Sequence, residues 1–295
     1  MHACGHDAHT AILLATAIII NKIKNKHDGT FMYIFQPSEE TFPGGAITMI
    51  NNGIFNDIKP KAILALHVMP NMESGTIGIK DGPYMAATDE IYIEISGKGG
   101  HAATPELNID PIYIAANIIM SLQSIVSRLS NPTIPVVLSF GKIIGNGRTN
   151  IVPDNVFIEG TLRTMDETFR YYAHKKISEI ATNIAHSYNA KIKINIHKGY
   201  PALINNPKYT KFIEKHTKYL LGENNVITLQ PRMTAEDFAY FAQIIPACLF
   251  RLGISNNNKY LHNLHSPYFD IDEQSLKTGI MTMSYLAIKT LEEYF

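Results

Sequence analysis

Cys4 and His6 stand two residues apart in the opening turn Met1-His2-Ala3-Cys4-Gly5-His6-Asp7, where a thiol and two imidazoles gather around a glycine. Sulfur and imidazole nitrogen suit zinc, nickel, cobalt or manganese better than calcium, so such a turn can converge on a metal ion. A second group is Glu39-Glu40, which follows the turn Gln36-Pro37-Ser38. Adjacent side chains rarely point the same way, which lets one carboxylate bind a metal while the other faces the substrate side and holds a water. That division of labour fits metal-assisted hydrolysis, in which the metal acidifies water and a carboxylate removes its proton. His67, inside the apolar run 61–68 (KAILALHV), and His265, in Leu264-His265-Ser266-Pro267, complete the candidates. Taken singly, each has a plainer reading: a small buried thiol, a solvated acidic helix start, a satisfied core histidine, a loop histidine.

These residues fall near predicted strand ends and helix starts, where open α/β sheets place their ligands. Asp7 or Thr10 caps a predicted helix running to about Lys24. Residues 30–35 (TFMYIF) read as a short strand, Gly44-Gly45 precedes a helix to about Asn52, and residues 61–68 read as a buried strand. Strands alternating with helices imply an α/β sheet packed on both faces. From about Thr88 the pattern changes. Residues 90–96 (EIYIEIS) alternate with period two, followed by a helix over 110–129, strands over 134–144 and 155–164, a helix to about Ser187, and the alternating run 191–197 (KIKINIH). This β-α-β-β-α-β order suits a ferredoxin-like α+β unit, a four-stranded antiparallel sheet covered by two helices on one face. After the linker 198–207 come a helix over 209–221, a short helix opened by Thr234-Ala235-Glu236-Asp237, a strand over 247–252 and a last amphipathic helix from about Glu273. The expected organisation is an α/β domain of residues 1–87 and 199–295, interrupted by an inserted unit of residues 88–198.

The 295 residues are 45% apolar and 18% charged, without low-complexity tracts or short-period repeats, which excludes disordered, collagenous and solenoid classes. Lys plus Arg (26) balances Asp plus Glu (26), and no stretch concentrates basic side chains, so nucleic acid is not an expected partner. The apolar run 11–20 is too short to span a bilayer, which takes ~20 residues, and a cluster of His, Cys and Asp precedes it instead of a basic region. No membrane partner is expected. Two cysteines, Cys4 and Cys248, without an export signal make a disulfide framework improbable and a cytoplasmic location the default.

The segments MHACGHDAHTAILLATA, QPSEE, ALHV, SGKGGHAATPELNIDPI, TNIVPD, GTLRTMD, AEDFAYF and LHSPYFDIDE occur in an order that resembles the dinuclear metallo-amidohydrolases, the aminoacylase and carboxypeptidase family that includes hippurate hydrolase. The resemblance spans essentially the whole chain. It implies two divalent metal ions (manganese, zinc, nickel or cobalt), with Cys4 bridging them, His6, Glu40, His67 and His265 completing the ligand set, and Glu39 as general base. It implies that the inserted unit is a dimerisation domain making a homodimer. It also implies that His101 reaches the partner subunit's active site to steady the developing oxyanion, and that Asn150 helps hold the substrate.

From the residues alone, Gly97-Lys98-Gly99-Gly100-His101 is either a flexible lid loop ending in a titratable donor or a glycine hairpin with an exposed histidine, and Asn150 is also a plain turn residue. Arg232 and Arg163 are candidates for recognising a substrate carboxylate, with Arg163 on a predicted strand the more structural of the two. The implied activity is hydrolysis of the amide bond of small N-acyl amino acids. The alternatives are a dipeptide carboxypeptidase of the same chemistry, or an inactive remnant that keeps only the dimerisation unit. Members of the family carry further strands and an aspartate-containing segment ahead of HACGHD, so the catalytic part is expected to be N-terminally truncated.

Overall fold

The computed structural model describes residues 1–23, 26–257 and 262–295. They form two compact units, Met1–Tyr84 with Ile204–Pro231 and Asp237–Phe295, and Met85–Leu203 with Arg232–Glu236. The chain is mixed α/β, with an α+β unit inserted into the first unit's sequence.

In the first unit, strand Ile63–Glu73 runs parallel to Ala247–Ser255, which pairs antiparallel with Ile77–Ile79, which in turn pairs parallel with Val226–Thr228. Every residue of Ala247–Ser255 is buried, as a strand covered on both faces requires. The core joins Leu66, Val68, Phe250 and Leu252 of the sheet to Ile12 of helix His6–Ile23, Ile213 of Pro207–Leu221, and Met283 and Leu286 of Gln274–Lys289. Asn205 is fully buried and its amide takes the place of a neighbouring strand: it donates to Lys80 O and Leu249 O and accepts from Leu249 N–H. The expected helix end at Lys24 lies outside the described residues.

The expected strand over residues 30–35 is not formed. The segment is extended in sequence, but among the described residues no strand pairs with it, and Phe35 is 46% exposed. A β-branched and aromatic run has strand propensity without a ladder to join.

In the inserted unit the strands lie in the order Val136–Ile144, Asn155–Thr164, Ala87–Ser96, Lys191–Lys198, and every neighbour is antiparallel. Alternation turns Ile91, Ile93, Ile95, Val156, Ile158 and Leu162 to one face, where helices Pro111–Leu122 and Glu167–Ser187 cover them. The second helix presents Ala173, Ile177, Ala181 and Ala185, one residue per turn. Both helices start alike: Asp110 accepts from Ile112 and Tyr113 N–H (2.8 and 3.2 Å) and Asp166 from Thr168 and Phe169 N–H (2.8 and 3.0 Å). The expected helix to residue 129 breaks into a π turn over Ile125–Leu129. Pro111–Leu129 has the length and composition of a membrane span, and its Ile114, Ile118, Leu122 and Ile125 are fully buried in the core of this unit.

Candidate metal centre

The opening turn is closed by Gly5 N–H donating to His2 O (3.0 Å), and Gly5 has φ 80°, a left-handed conformation that a side chain disfavours. A Cβ there would also lie 2.6 Å from Val68 Cγ2. The turn therefore lies hard against strand Ile63–Glu73, and Cys4 Sγ comes within 3.4 Å of His67 Nε2. The His67 ring is polarised from its other side. Nδ1 is 2.8 Å from Val68 O, and a carbonyl only accepts, so the proton sits on Nδ1 and Nε2 offers a lone pair toward Cys4. Burial, Arg251 and His9 hold the His67 pKa well below its ordinary value, so the ring stays neutral.

His9 looks like another ligand but is otherwise engaged. Its Nε2 accepts from Val68 N–H (3.0 Å), its ring lies 4.6 Å from that of His67, and burial, His6 and Arg251 push its pKa down to about 3.

Glu39 and Glu40 arrive on a tight turn. Ser38 adopts φ 57°, and Thr41 N–H reaches Ser38 O (3.4 Å). Glu39 Oε2 and Glu40 Oε1 each lie 3.8 Å from His6 Nε2, and of the two only Glu40 also groups with Cys4 and His265. His265 closes the group from the far end of the sequence. Its N–H donates to Ala3 O (2.7 Å), its backbone has φ 66°, and its Nε2 lies 3.6 Å from Glu40 Oε1. A non-glycine residue held at positive φ is strained, and such strain is concentrated at functional sites.

Within each of three groups the ligand atoms lie within 4.8 Å of one another: Cys4, His6 and His67; Cys4, Glu40 and His265; His6, Glu39 and Glu40. Sulfur, imidazole and carboxylate donors, with one buried lone pair already turned inward, match what a borderline divalent cation needs. The groups share Cys4, His6 and Glu40, so the set has the form of two adjoining cation positions.

Two supporting residues were not singled out by the sequence. Asp237, buried, accepts from Gln36 Nε2 on both oxygens (2.8 and 2.7 Å) and from Ala46 N–H (3.1 Å), so it grips both ends of the segment that carries Glu39 and Glu40. Burial raises its pKa against the lowering pull of those bonds. Arg251 stands opposite His67 in the neighbouring strand and donates through Nε to Tyr84 OH (2.8 Å). Gln36 in QPSEE and Asp237 in AEDF were the only signals of the first pair, and nothing in the sequence joined them.

The remaining candidates lie in the inserted unit. His101 pairs with Ile151 in a short ladder, and Ala102 N–H donates to Asn150 O (3.0 Å), so His101 and Asn150 are brought together. Arg232 is half-buried, and its carbonyl accepts from Ala86 N–H (3.1 Å). Arg163 donates through Nε to Thr161 Oγ1 (3.3 Å) on its own strand.

The sequence matches the profile described as peptidase family M20/M25/M40 across residues 1–289. It is 38% identical to an N-acetyl-L-cysteine deacetylase of Bacillus subtilis, covering 97% of this chain and 65% of that protein, and 36% identical to thermostable carboxypeptidase 2 of Saccharolobus solfataricus, covering 98% and 73%. The fold superposes on the crystal structure of a Bacillus subtilis protein described as a dinuclear metal binding peptidase from the M20 family, with TM-score 0.83, 30% identity, and coverage of 99% of this chain and 74% of that one. By fold and by sequence along nearly its whole length, the chain belongs to peptidase family M20/M25/M40, whose members hydrolyse amide and peptide bonds.

Proposed function

We propose that this chain removes the acyl group from N-acyl amino acids, using two divalent metal ions and working as a homodimer through residues 88–198. The observation that carries the reading is the convergence of Cys4, His6, Glu39, Glu40, His67 and His265 from four separate stretches of sequence into overlapping donor groups. In this reading Cys4, His6, Glu40, His67 and His265 would hold the ions. Manganese, zinc, nickel and cobalt all suit these donors. When bound, the ions supply Lewis acidity, polarising the amide carbonyl and acidifying water. Glu39, the less exposed of the two carboxylates, takes the proton from the attacking water and hands it to the leaving amine nitrogen. His101 donates a hydrogen bond to the developing oxyanion in the partner subunit, Asn150 holds the substrate, and Arg232 pairs with its carboxylate.

The test is Glu39→Gln. Hydrolysis of N-acetyl and N-benzoyl amino acids is expected to fall by about 10²–10⁴-fold, the range for general acid–base catalysis, while metal content by elemental analysis stays at the wild-type level. Unchanged hydrolysis would remove Glu39 from its role. Similarity to a thermostable carboxypeptidase favours a second reading, cleavage of dipeptides by the same residues. A panel of acyl amino acids and dipeptides separates the two by their kcat/KM values.

A further inference from the structure

Although the segment Gly97-Lys98-Gly99-Gly100-His101 has the composition of a lid loop, its backbone is tied at every residue. Gly97 N–H donates to Asp154 O and Gly99 N–H to the Asp154 carboxylate, both at 2.8 Å. Lys98 exchanges both of its backbone bonds with Ile109 at 2.9 Å, and Gly100 and His101 pair with Val152 and Ile151. The segment is neither a free lid loop nor a hairpin, since its partners are Ile109 and the distant residues Ile151, Val152 and Asp154.

The His101 carbonyl is held most firmly. It accepts from Thr104 N–H (3.1 Å), from Thr104 Oγ1 (3.1 Å) and from the Asn108 side-chain amide (3.0 Å). Fixing that carbonyl closes the turn 101–104, and the closed turn sets Ala103 N–H 3.1 Å from His101 Nδ1. A backbone N–H only donates, so Nδ1 must present its lone pair, and the proton of the neutral ring sits on Nε2. Asn108 is itself wedged in place. A Cβ on Gly100 would lie 2.1 Å from Asn108 Oδ1, so glycine is what lets the amide approach.

We propose that Asn108 is a positioning residue that, by holding the His101 carbonyl, fixes the exposed His101 ring as an Nε2–H donor. The inference rests on the assignment of His101 as the oxyanion donor in the proposed reaction. An oxyanion needs a donor already formed and already oriented, since reorientation during the reaction raises the barrier. Asn108 supplies that preorganisation without touching substrate. Gly100 is part of the same device, because a methyl group there displaces the amide.

The test compares Asn108→Ala and Gly100→Ala, each in the wild-type chain and in a His101→Ala background. In the wild-type chain both variants are expected to lower kcat by about tenfold or more, the cost of slight misplacement, with metal content unchanged. KM should stay within about twofold, because an interaction made only in the transition state is lost. In the His101→Ala background neither variant should cost anything further. An equal loss in that background overturns the inference, since Asn108 would then act by another route. A readout independent of turnover is the side-chain spectrum of ¹⁵N-histidine-labelled protein at a pH where His101 is neutral. The His101 ring should show the Nε2–H pattern in the wild type and move toward averaged nitrogens in Asn108→Ala. Identical ring spectra in the two proteins overturn the inference. Absence of acyl-amino-acid hydrolysis in the wild type defeats the proposed function instead, and the spectra still decide the role of Asn108.

Discussion

Asp237, which also groups with Glu39, illustrates how a residue outside the predicted ligand set can govern it. Its carboxylate receives the Gln36 amide and Ala46 N–H, and between those two anchors hangs the turn with Glu39 and Glu40. Asp237→Ala strands the buried Ala46 N–H, at about 1–3 kcal/mol, and frees the half-buried Gln36 amide. The expected result is a lower unfolding temperature together with weaker metal retention during dialysis, because Glu40 loses its fixed approach to His265. Wild-type metal retention in a folded Asp237→Ala chain would show that the turn holds itself. The sequence disclosed the donors better than their supports. Cys4 and His6 announce themselves by spacing, whereas His265 has no local partner and became a candidate ligand through the family resemblance. Asp237 escaped because Gln36 lies 201 residues away, and His9 is indistinguishable in sequence from a ligand until its bond to Val68 N–H is seen.

Strand Ala87–Ser96 and helix Glu167–Ser187 are joined by a buried charge cluster. Arg170, fully buried, donates to both oxygens of Asp89 (2.9 and 2.5 Å), to Thr88 O and to Gly199 O, while His174 Nε2 lies 2.5 Å from Asp89. Burial pushes the Asp89 pKa up, but the bonds from Arg170 and His174 outweigh it and the net shift is downward. A carboxyl whose folded pKa is depressed contributes stability above its unfolded value of about 3.9, and that contribution is lost as pH falls through the folded value. Acid unfolding of the inserted unit should therefore steepen below about pH 4. Asp89→Asn leaves Arg170 without its charge partner and is expected to destabilise the unit by about 3–5 kcal/mol at neutral pH while flattening that acid limb. Denaturant titrations followed by tyrosine fluorescence at neutral pH and at pH 3 check both halves. An unchanged acid limb would assign the pH dependence to other groups. At this scale the sequence was most informative where one face is buried: residues 90–96 and 191–197 alternate, and both stretches lie in strands of the sheet. It misled at residues 30–35, where composition promises a strand and pairing, which no local pattern encodes, does not follow. Strand Ile63–Glu73 outran its expected end because a bulge between Met69 and Glu73 absorbs Pro70.

Across the whole molecule, the six predicted donors come from residues 4 to 265 of a single compact unit, so bound ions would join distant parts of that unit. Ligands that bind only the folded state stabilise it by mass action, by about 2.7 kcal/mol at a hundredfold excess over Kd. Chelation is expected to lower the calorimetric transition of the first unit and leave that of the inserted unit in place. A shift of both transitions, or of neither, would sink that expectation. The connection between the units has a consequence for inheritance. The strand by which the chain enters the inserted unit and the strand by which it leaves are hydrogen-bonded neighbours, with Asp89 opposite Lys198, so the two ends of the excursion lie about 5 Å apart. A two-residue hairpin turn spans such a gap. The coding stretch between those positions is thus a nearly self-contained cassette whose entry and exit meet, while the paired strands Ile63–Glu73 and Ala247–Ser255 lie outside it and only Arg232–Glu236 belongs to the same unit from elsewhere in the sequence.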